Sequence, residues 1–385
     1  MPLLDDSSAV AAFCARLQDA PFITIDTEFM RERTYWPQLC VVQIAGPDEA
    51  EAIDALADGI DLKPVFALME NKDILKVFHA ARQDIEIFYH LTGKIPAPLF
   101  DTQVAAMVCG FGDAAGYETL VRKLANARVD KSARFTDWSH RPLTERQLEY
   151  ALADVTHLRV VYDKLSNALD KNGRRGWLEE EMSVLANPAT YDTDPMNAWR
   201  RIKTRAPKPR FLAILREVTA WREREAQRKD VPRNRILRDE ALLEIAHHEP
   251  DDVDSLARTR GFGRKLAESR SGQELLESVA RGKALPSSEC PEPPDRPDLP
   301  RGIGPVAELL KVLLKMKCEE HDVAPRLIAT SDDIDQISAF GENADVAALH
   351  GWRRQVFGED ALALMAGKLA LVVDGKKLEV VELEG

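Results

Sequence analysis

The chain has 385 residues, 45% of them hydrophobic and 30% charged, with a formal charge of −12. That length exceeds what one hydrophobic core usually organises and predicts two or three globular domains, while the composition excludes a disordered or fibrous chain. The acidic average excludes a uniformly basic nucleic-acid coat. The start MPLLDDSSAV has no basic region ahead of an apolar run, and no stretch approaches the ~20 apolar residues of a spanning helix, so neither export nor membrane insertion is expected.

In chain order, FITIDTEF (22–29), LCVVQIAG (39–46) and AEAIDA (50–55) are predicted strands, rich in β-branched and apolar residues. A helix is predicted near LKPVFALMEN, a strand over ILKVFHA (74–80) and a helix over ARQDIEIFYHLTG. Three strands in succession followed by βα units predict a mixed sheet covered by helices. GYETLVRKLAN and the stretch 143–169 continue with helical spacing, the latter over about seven turns. Four prolines break residues 187–210, which predicts a linker. Helices follow over 211–230, over DEALLEIAHHEP and on both sides of a GFG turn, with VPRNRIL as an extended turn. Seven prolines in 285–305 predict a second linker, LLKVLLKMKCEEHD opens a further helical unit, and the alternating runs around Asp374 and Gly375 predict a hairpin. The five cysteines, Cys14, Cys40, Cys109, Cys290 and Cys318, show no metal-binding or paired spacing, which fits a reduced, cytoplasmic setting.

Charge is unevenly spread. Pro195–Glu240 holds 14 Lys and Arg against six Asp and Glu, whereas Pro286–Gly385 holds 11 against 19. The basic middle is the candidate nucleic-acid-binding surface, with Arg222, Arg224, Arg228 and Lys229 on its outer side; truncation near Leu185 is expected to leave the first domain intact.

Asp26 and Glu28 lie two apart on a predicted strand, so their carboxylates share a face. They are either an exposed strand end or one side of a site, because two adjacent carboxylates repel and resist burial unless a cation receives them. Asp84, on a helix that starts just after a strand, and Tyr150 with Asp154, four apart on one helix, supply more acids and a phenol. Such a cluster suits two divalent ions, Mg²⁺ or Mn²⁺, about 3.5–4 Å apart in phosphodiester hydrolysis.

DTEF, the H-x-x-x-x-D of HAARQD and the Y-x-x-x-D of YALAD resemble the three exonuclease motifs of the DEDD superfamily, tyrosine subclass, and their arrangement resembles the ribonuclease D family. TYWPQLCVVQIAG is similar to that family's second strand and its approach. AWREREAQRKDVPRNRILRDEALLEIA resembles the HRDC domain shared with RecQ helicases, and LHGWRRQVFG resembles a second, more divergent HRDC-like domain. The resemblance implies an α/β, ribonuclease H-like mixed sheet with flanking helices, followed by two small all-helical HRDC-like domains. The implied boundaries are 1–186 for the exonuclease domain, 187–210 and 285–304 for linkers, 211–284 for the first HRDC domain and 305–385 for the second. It further implies that Asp26, Glu28 and Asp154 hold one metal, that Asp26 is shared with a second metal supported by Asp84, and that Tyr150 orients the attacking water. Glu86 is an alternative acid on the helix of Asp84, but stands at the wrong distance from His79.

The expected activity is 3′-to-5′ exoribonucleolytic trimming of structured RNA, tRNA precursors foremost, by a cytoplasmic monomer. His79 is either a strand-end histidine satisfied by backbone or a phosphate contact. Phe29, Met30, Trp36 and Gln38 are candidates for gripping the terminal nucleotide, since unpaired bases are held by apolar and aromatic side chains. Two rivals share the motifs: a DNA-directed proofreading or repair exonuclease, and an RNA-binding module without catalysis. No polymerase or helicase motif accompanies the first within these residues, and the complete set of four acids and a tyrosine argues against the second.

Overall fold

The run FITIDTEFM forms a nine-residue strand in the middle of a six-stranded sheet. The computed structural model describes residues 3–204, 207–260, 262–293 and 299–383; Gly261 of the GFG turn and 294–298 of the second predicted linker lie outside these. The sheet comprises β1 (Leu3–Leu4), β2 (Phe22–Met30), β3 (Gln38–Ala45), β4 (Ala50–Asp54), β5 (Leu75–Phe78) and β6 (Leu99–Asp101), in the order β1-β4-β3-β2-β5-β6. β2, β3 and β4 form an antiparallel meander, and β1, β5 and β6 run parallel to their neighbours.

Strand parity sorts β2 into two faces. Ile23 and Ile25 enter a core with α1 (Ser7–Arg16), α2 (Lys63–Glu70) and α3 (Arg82–Thr92). Each is fully buried, which stabilises the fold by roughly 1.5–3 kcal/mol. The opposite face of the sheet is crossed by a long helix. After α4 (Thr102–Val108) and α5 (Tyr117–Leu120), the helix α6 (Glu145–Lys171) starts at a capping box between Thr144 and Gln147. Its inward row is Ala151, Asp154, Val155, Leu158, Val161 and Leu165. The Thr24 hydroxyl donates to the Val155 carbonyl at 2.8 Å and sets the register of α6 on β2.

Beyond α7 (Arg175–Leu185), the segment 187–210 predicted as a linker carries two 3₁₀ helices, Pro188–Tyr191 and Pro195–Arg201. Trp199 and Ile202 pack into the helical unit that follows. That unit is built on α8 (Pro209–Lys229), whose Leu212, Leu215, Val218 and Trp221 meet the helices Asp239–His248 and Arg270–Ala284. VPRNRIL is not an extended turn: Arg233–Ile236 closes a short helix.

The last unit holds the helices Gly304–Glu320, Ser331–Phe340 and Glu359–Met365, then the predicted hairpin, β7 (Leu369–Asp374) with β8 (Lys377–Glu382). It is helical only up to that hairpin. It also does not stand apart, because Leu310, Leu327 and Phe357 share one core with Met107, Leu178 and Met182 of the first domain. Trp352 stacks on Trp177 with ring centroids 4.1 Å apart, Arg353 pairs with Glu180 and Glu181, and the Ala324 N–H donates to the Met107 carbonyl. At Gly110, with φ +80°, any Cβ would meet the Asp322 carbonyl oxygen at 2.9 Å. Truncation near Leu185 would therefore expose apolar core, contrary to the expectation of an intact remainder. Among the described residues no helix is long and apolar enough to cross a membrane.

Candidate active site

Asp26 and Glu28 project from the α6 side of β2, as their spacing requires, and α6 brings Asp154 over them. One carboxylate oxygen from each of the three lies within 4.8 Å of the others. Burial and mutual repulsion act together here. Burial, then the Asp154 charge, raises the Asp26 carboxyl well above its usual range. Burial, followed by Asp26, Asp154 and Asp84, pushes Glu28 up to about 10. Asp154 is raised to about 7 by burial, against the opposing Tyr150 hydrogen bond and the charge of Arg134.

Asp84 reaches the cluster from the opposite side of β2. It lies in the first turn of α3, is buried, and accepts a hydrogen bond from the Thr27 hydroxyl. Its oxygens fall outside the group of three, yet burial and the Asp26 charge raise its pKa. The turn that aims α3 is held by Asp101, a residue sequence reasoning missed. Its carboxylate accepts from the N–H groups of Ala80 (3.0 Å), Ala81 (2.8 Å) and Gln103 (2.7 Å), and so keeps Ala80 at φ +57°. His79 lies half-buried in the same cleft with Nδ1 3.0 Å from the Thr102 hydroxyl; burial lowers its pKa. Of the two readings of His79, a backbone partner or a phosphate contact, the first is replaced by this side-chain contact.

Tyr150 lies one turn before Asp154, hydrogen-bonded to its carboxylate, and its phenol is raised by burial and by the Asp154 charge. Tyr117, also unforeseen, donates through its hydroxyl to the Asp154 backbone carbonyl at 2.5 Å and holds that turn of α6. Arg134 and Phe135 stand on the loop before α6, which Arg141 fastens by pairing with Asp54 at 2.5 Å. Nothing in the order of these residues marks them, because they meet the acids only through the fold. The resulting cleft has a volume of about 1090 Å³.

Phe29, Met30 and Gln38 line this cleft beside the acids. The β2–β3 register shifts between Glu28 and Phe29, so Phe29 also packs on the α1–α3 core and Met30 near Trp138. Two expectations are corrected. Trp36 lies outside the acidic cleft, stacked on His90 at 3.9 Å, because the chain turns away after Thr34. Arg222 does not face outward: its side chain is 2% exposed, paired with Glu223 at 3.3 Å and Asp239 at 2.5 Å. Helical periodicity places it on the inner side of α8, where only those acids permit a charge. Arg224 is exposed, and Arg228 and Lys229 are exposed but paired with Glu225 at 2.9 Å.

Three converging carboxylates, each raised toward its protonated form chiefly by burial, form the all-oxygen donor set that a hard divalent cation takes. A cation there would relieve the repulsion that raises Glu28 and Asp26, so the residues fit the expected metals.

A family model described as 3′-5′ exonuclease matches residues 2–170, and one described as HRDC domain matches 211–279. Ribonuclease D of Granulibacter bethesdensis is 53% identical over 380 residues, covering 98% of this chain and 96% of that protein. Ribonuclease D of Nitrobacter hamburgensis is 52% identical over 382 residues, covering 99% of this chain and 100% of that one. The crystal structure of Escherichia coli RNase D, described as an exoribonuclease involved in structured RNA processing, has a TM-score of 0.79 at 30% identity, over 94% of this chain and 98% of that one. Because the likeness runs over nearly the whole chain, through the first domain and both helical units, the chain belongs to the ribonuclease D family and is a 3′-5′ exoribonuclease.

Proposed function

We propose that the enzyme trims the 3′ ends of structured RNAs, tRNA precursors foremost, and releases nucleoside 5′-monophosphates. The observation that carries this reading is the triad of carboxylates within 4.8 Å at the floor of a cleft of about 1090 Å³, large enough for a terminal nucleotide and its neighbour. Asp26, Glu28 and Asp154 would hold one Mg²⁺ or Mn²⁺, and Asp26 with Asp84 a second; bound there, the ions supply charge for the attacking and leaving oxygens. Tyr150 keeps its proton at neutral pH, since its pKa is raised, and so aligns the attacking water rather than deprotonating it. Phe29, Met30 and Gln38 flank the terminal nucleotide, and His79 lies within reach of its phosphate. Arg224, Arg228 and Lys229 give α8 an RNA-facing side. The free thiols of all five cysteines support a reducing, cytoplasmic setting, and we read the active form as a monomer.

Incubation of the purified enzyme with a 3′-extended tRNA and with single-stranded DNA, each with Mg²⁺ or with EDTA, tests the reading. Stepwise shortening of the tRNA only with metal, and its loss in Asp26→Asn with folding intact, is the expected result. Preference for DNA, or wild-type turnover by Asp26→Asn, would overturn it.

A further inference from the structure

A second cleft opens where the loop after β2 meets the first helical unit. Its volume is about 290 Å³, and its walls include Arg31, Trp36, Arg82, Arg201 and Arg233. The loop is fastened from the α8 side. Asp230, at φ +47° just past the end of α8, accepts from the backbone N–H groups of Tyr35 and Trp36, each at 3.0 Å. The Tyr35 hydroxyl donates to Glu223 at 2.8 Å, and Trp36 lies flat against His90. These bonds hold the cleft in shape without a ligand.

Its charge runs against the average of the chain. Four arginines line the cleft against two carboxylates, Glu86 and Asp192, in a protein of net charge −12. Arg31 is committed to Glu86 by two hydrogen bonds, of 3.1 and 2.9 Å, and Arg233 lies 3.5 Å from Glu223. Among the described residues Arg201 is engaged only with the Asp192 backbone carbonyl, at 2.7 Å, and the exposed Arg82 makes no ion pair. Guanidinium donors left free of carboxylates are suited to a phosphate. Arg31 lines both this cleft and the acidic one, so the two are neighbours.

We propose that this second cleft binds a phosphate of the RNA strand upstream of the 3′ end, with Arg82 and Arg201 as its donors and Trp36 as a wall for the adjoining nucleotide. The inference rests on the exoribonuclease reading and adds a site at the junction of two domains. It accounts for an indole that sequence reasoning assigned to the terminal nucleotide and that the fold carries elsewhere.

The test is the double variant Arg82→Ala/Arg201→Ala. Binding is measured in the Asp26→Asn background with a fluorescent single-stranded RNA, and turnover in the active enzyme with that RNA and with ApA. A dinucleotide without terminal phosphates has one phosphate, at the scissile position, and serves as the internal reference. Loss of the one phosphate neutralised in the second cleft lowers the slope of log affinity against log salt by about 0.7, so that between about 50 and about 200 mM salt the parent loses about 2.6-fold more affinity than the variant. KM for the longer RNA should rise while kcat/KM for ApA holds. Equal slopes for parent and variant would overturn the site, and so would an equal loss on ApA, which would mean that the arginines act through α3 on the acids. A parent that cleaves no RNA would sink the exoribonuclease reading instead, and the binding slopes would still decide the cleft.

Discussion

Asp154→Asn should stabilise the metal-free protein at alkaline pH and abolish cleavage, two effects of opposite sign from one carboxylate. Its pKa rises from 3.8 unfolded to about 7 folded, chiefly through burial. A carboxyl whose folded pKa lies above its unfolded value holds its proton more tightly in the folded state. That advantage is complete below about pH 4 and is lost as pH climbs to about 7. At 1.36 kcal/mol per unit, the loss over some three units is about 4 kcal/mol. Asparagine does not ionise and escapes it. Urea unfolding in EDTA at about pH 4 and about pH 8 reads the difference: with a slope near 3 kcal/mol per molar, the parent midpoint should fall by about 1 M relative to the variant. Mg²⁺ should restore the parent and leave the variant unmoved, because the ion stabilises only the ionised cluster. Midpoints that run parallel across pH would refute the reasoning, since they would mean that the acids are solvated.

Tyr150→Phe keeps the ring and removes the hydroxyl; single-turnover assays should show the chemical step slowed about 10²-fold with RNA affinity unchanged. Arg222→Glu, aimed at an RNA contact by the sequence, should instead unfold the first helical unit by about 3–5 kcal/mol, read as an early thermal transition. Gly110→Ala meets the Asp322 backbone at a positive φ and should cost about 1–3 kcal/mol in chemical denaturation, loosening the last unit from the first domain. Asp101→Ala frees the turn at Ala80 and should lower the rate by misplacing Asp84, with wild-type dissociation of RNA in anisotropy assays.

The sequence by itself determined the parts of the site that depend on local periodicity. The two-residue spacing of Asp26 and Glu28 on a strand, and the four-residue spacing of Tyr150 and Asp154 on a helix, fix which side chains share a face whatever surrounds them. Four of the six sheet strands and the hairpin at Gly375 were legible for the same reason, whereas the short β1 and β6 carry too few residues to show a period. Tertiary structure alone decided what meets across elements. Thr24 and Tyr117 set the height of α6 on β2, and Asp101 sets the entry of α3, through contacts between residues distant in the chain. The same holds for the failures. Arg222 carries a charge and reads as surface, but packing turns it inward, where Glu223 and Asp239 take up its charge. The last unit reads as separate behind its prolines, yet its apolar faces are completed by Met107, Leu178 and Met182, because burial of apolar surface depends on which faces meet and not on how far apart they lie in sequence.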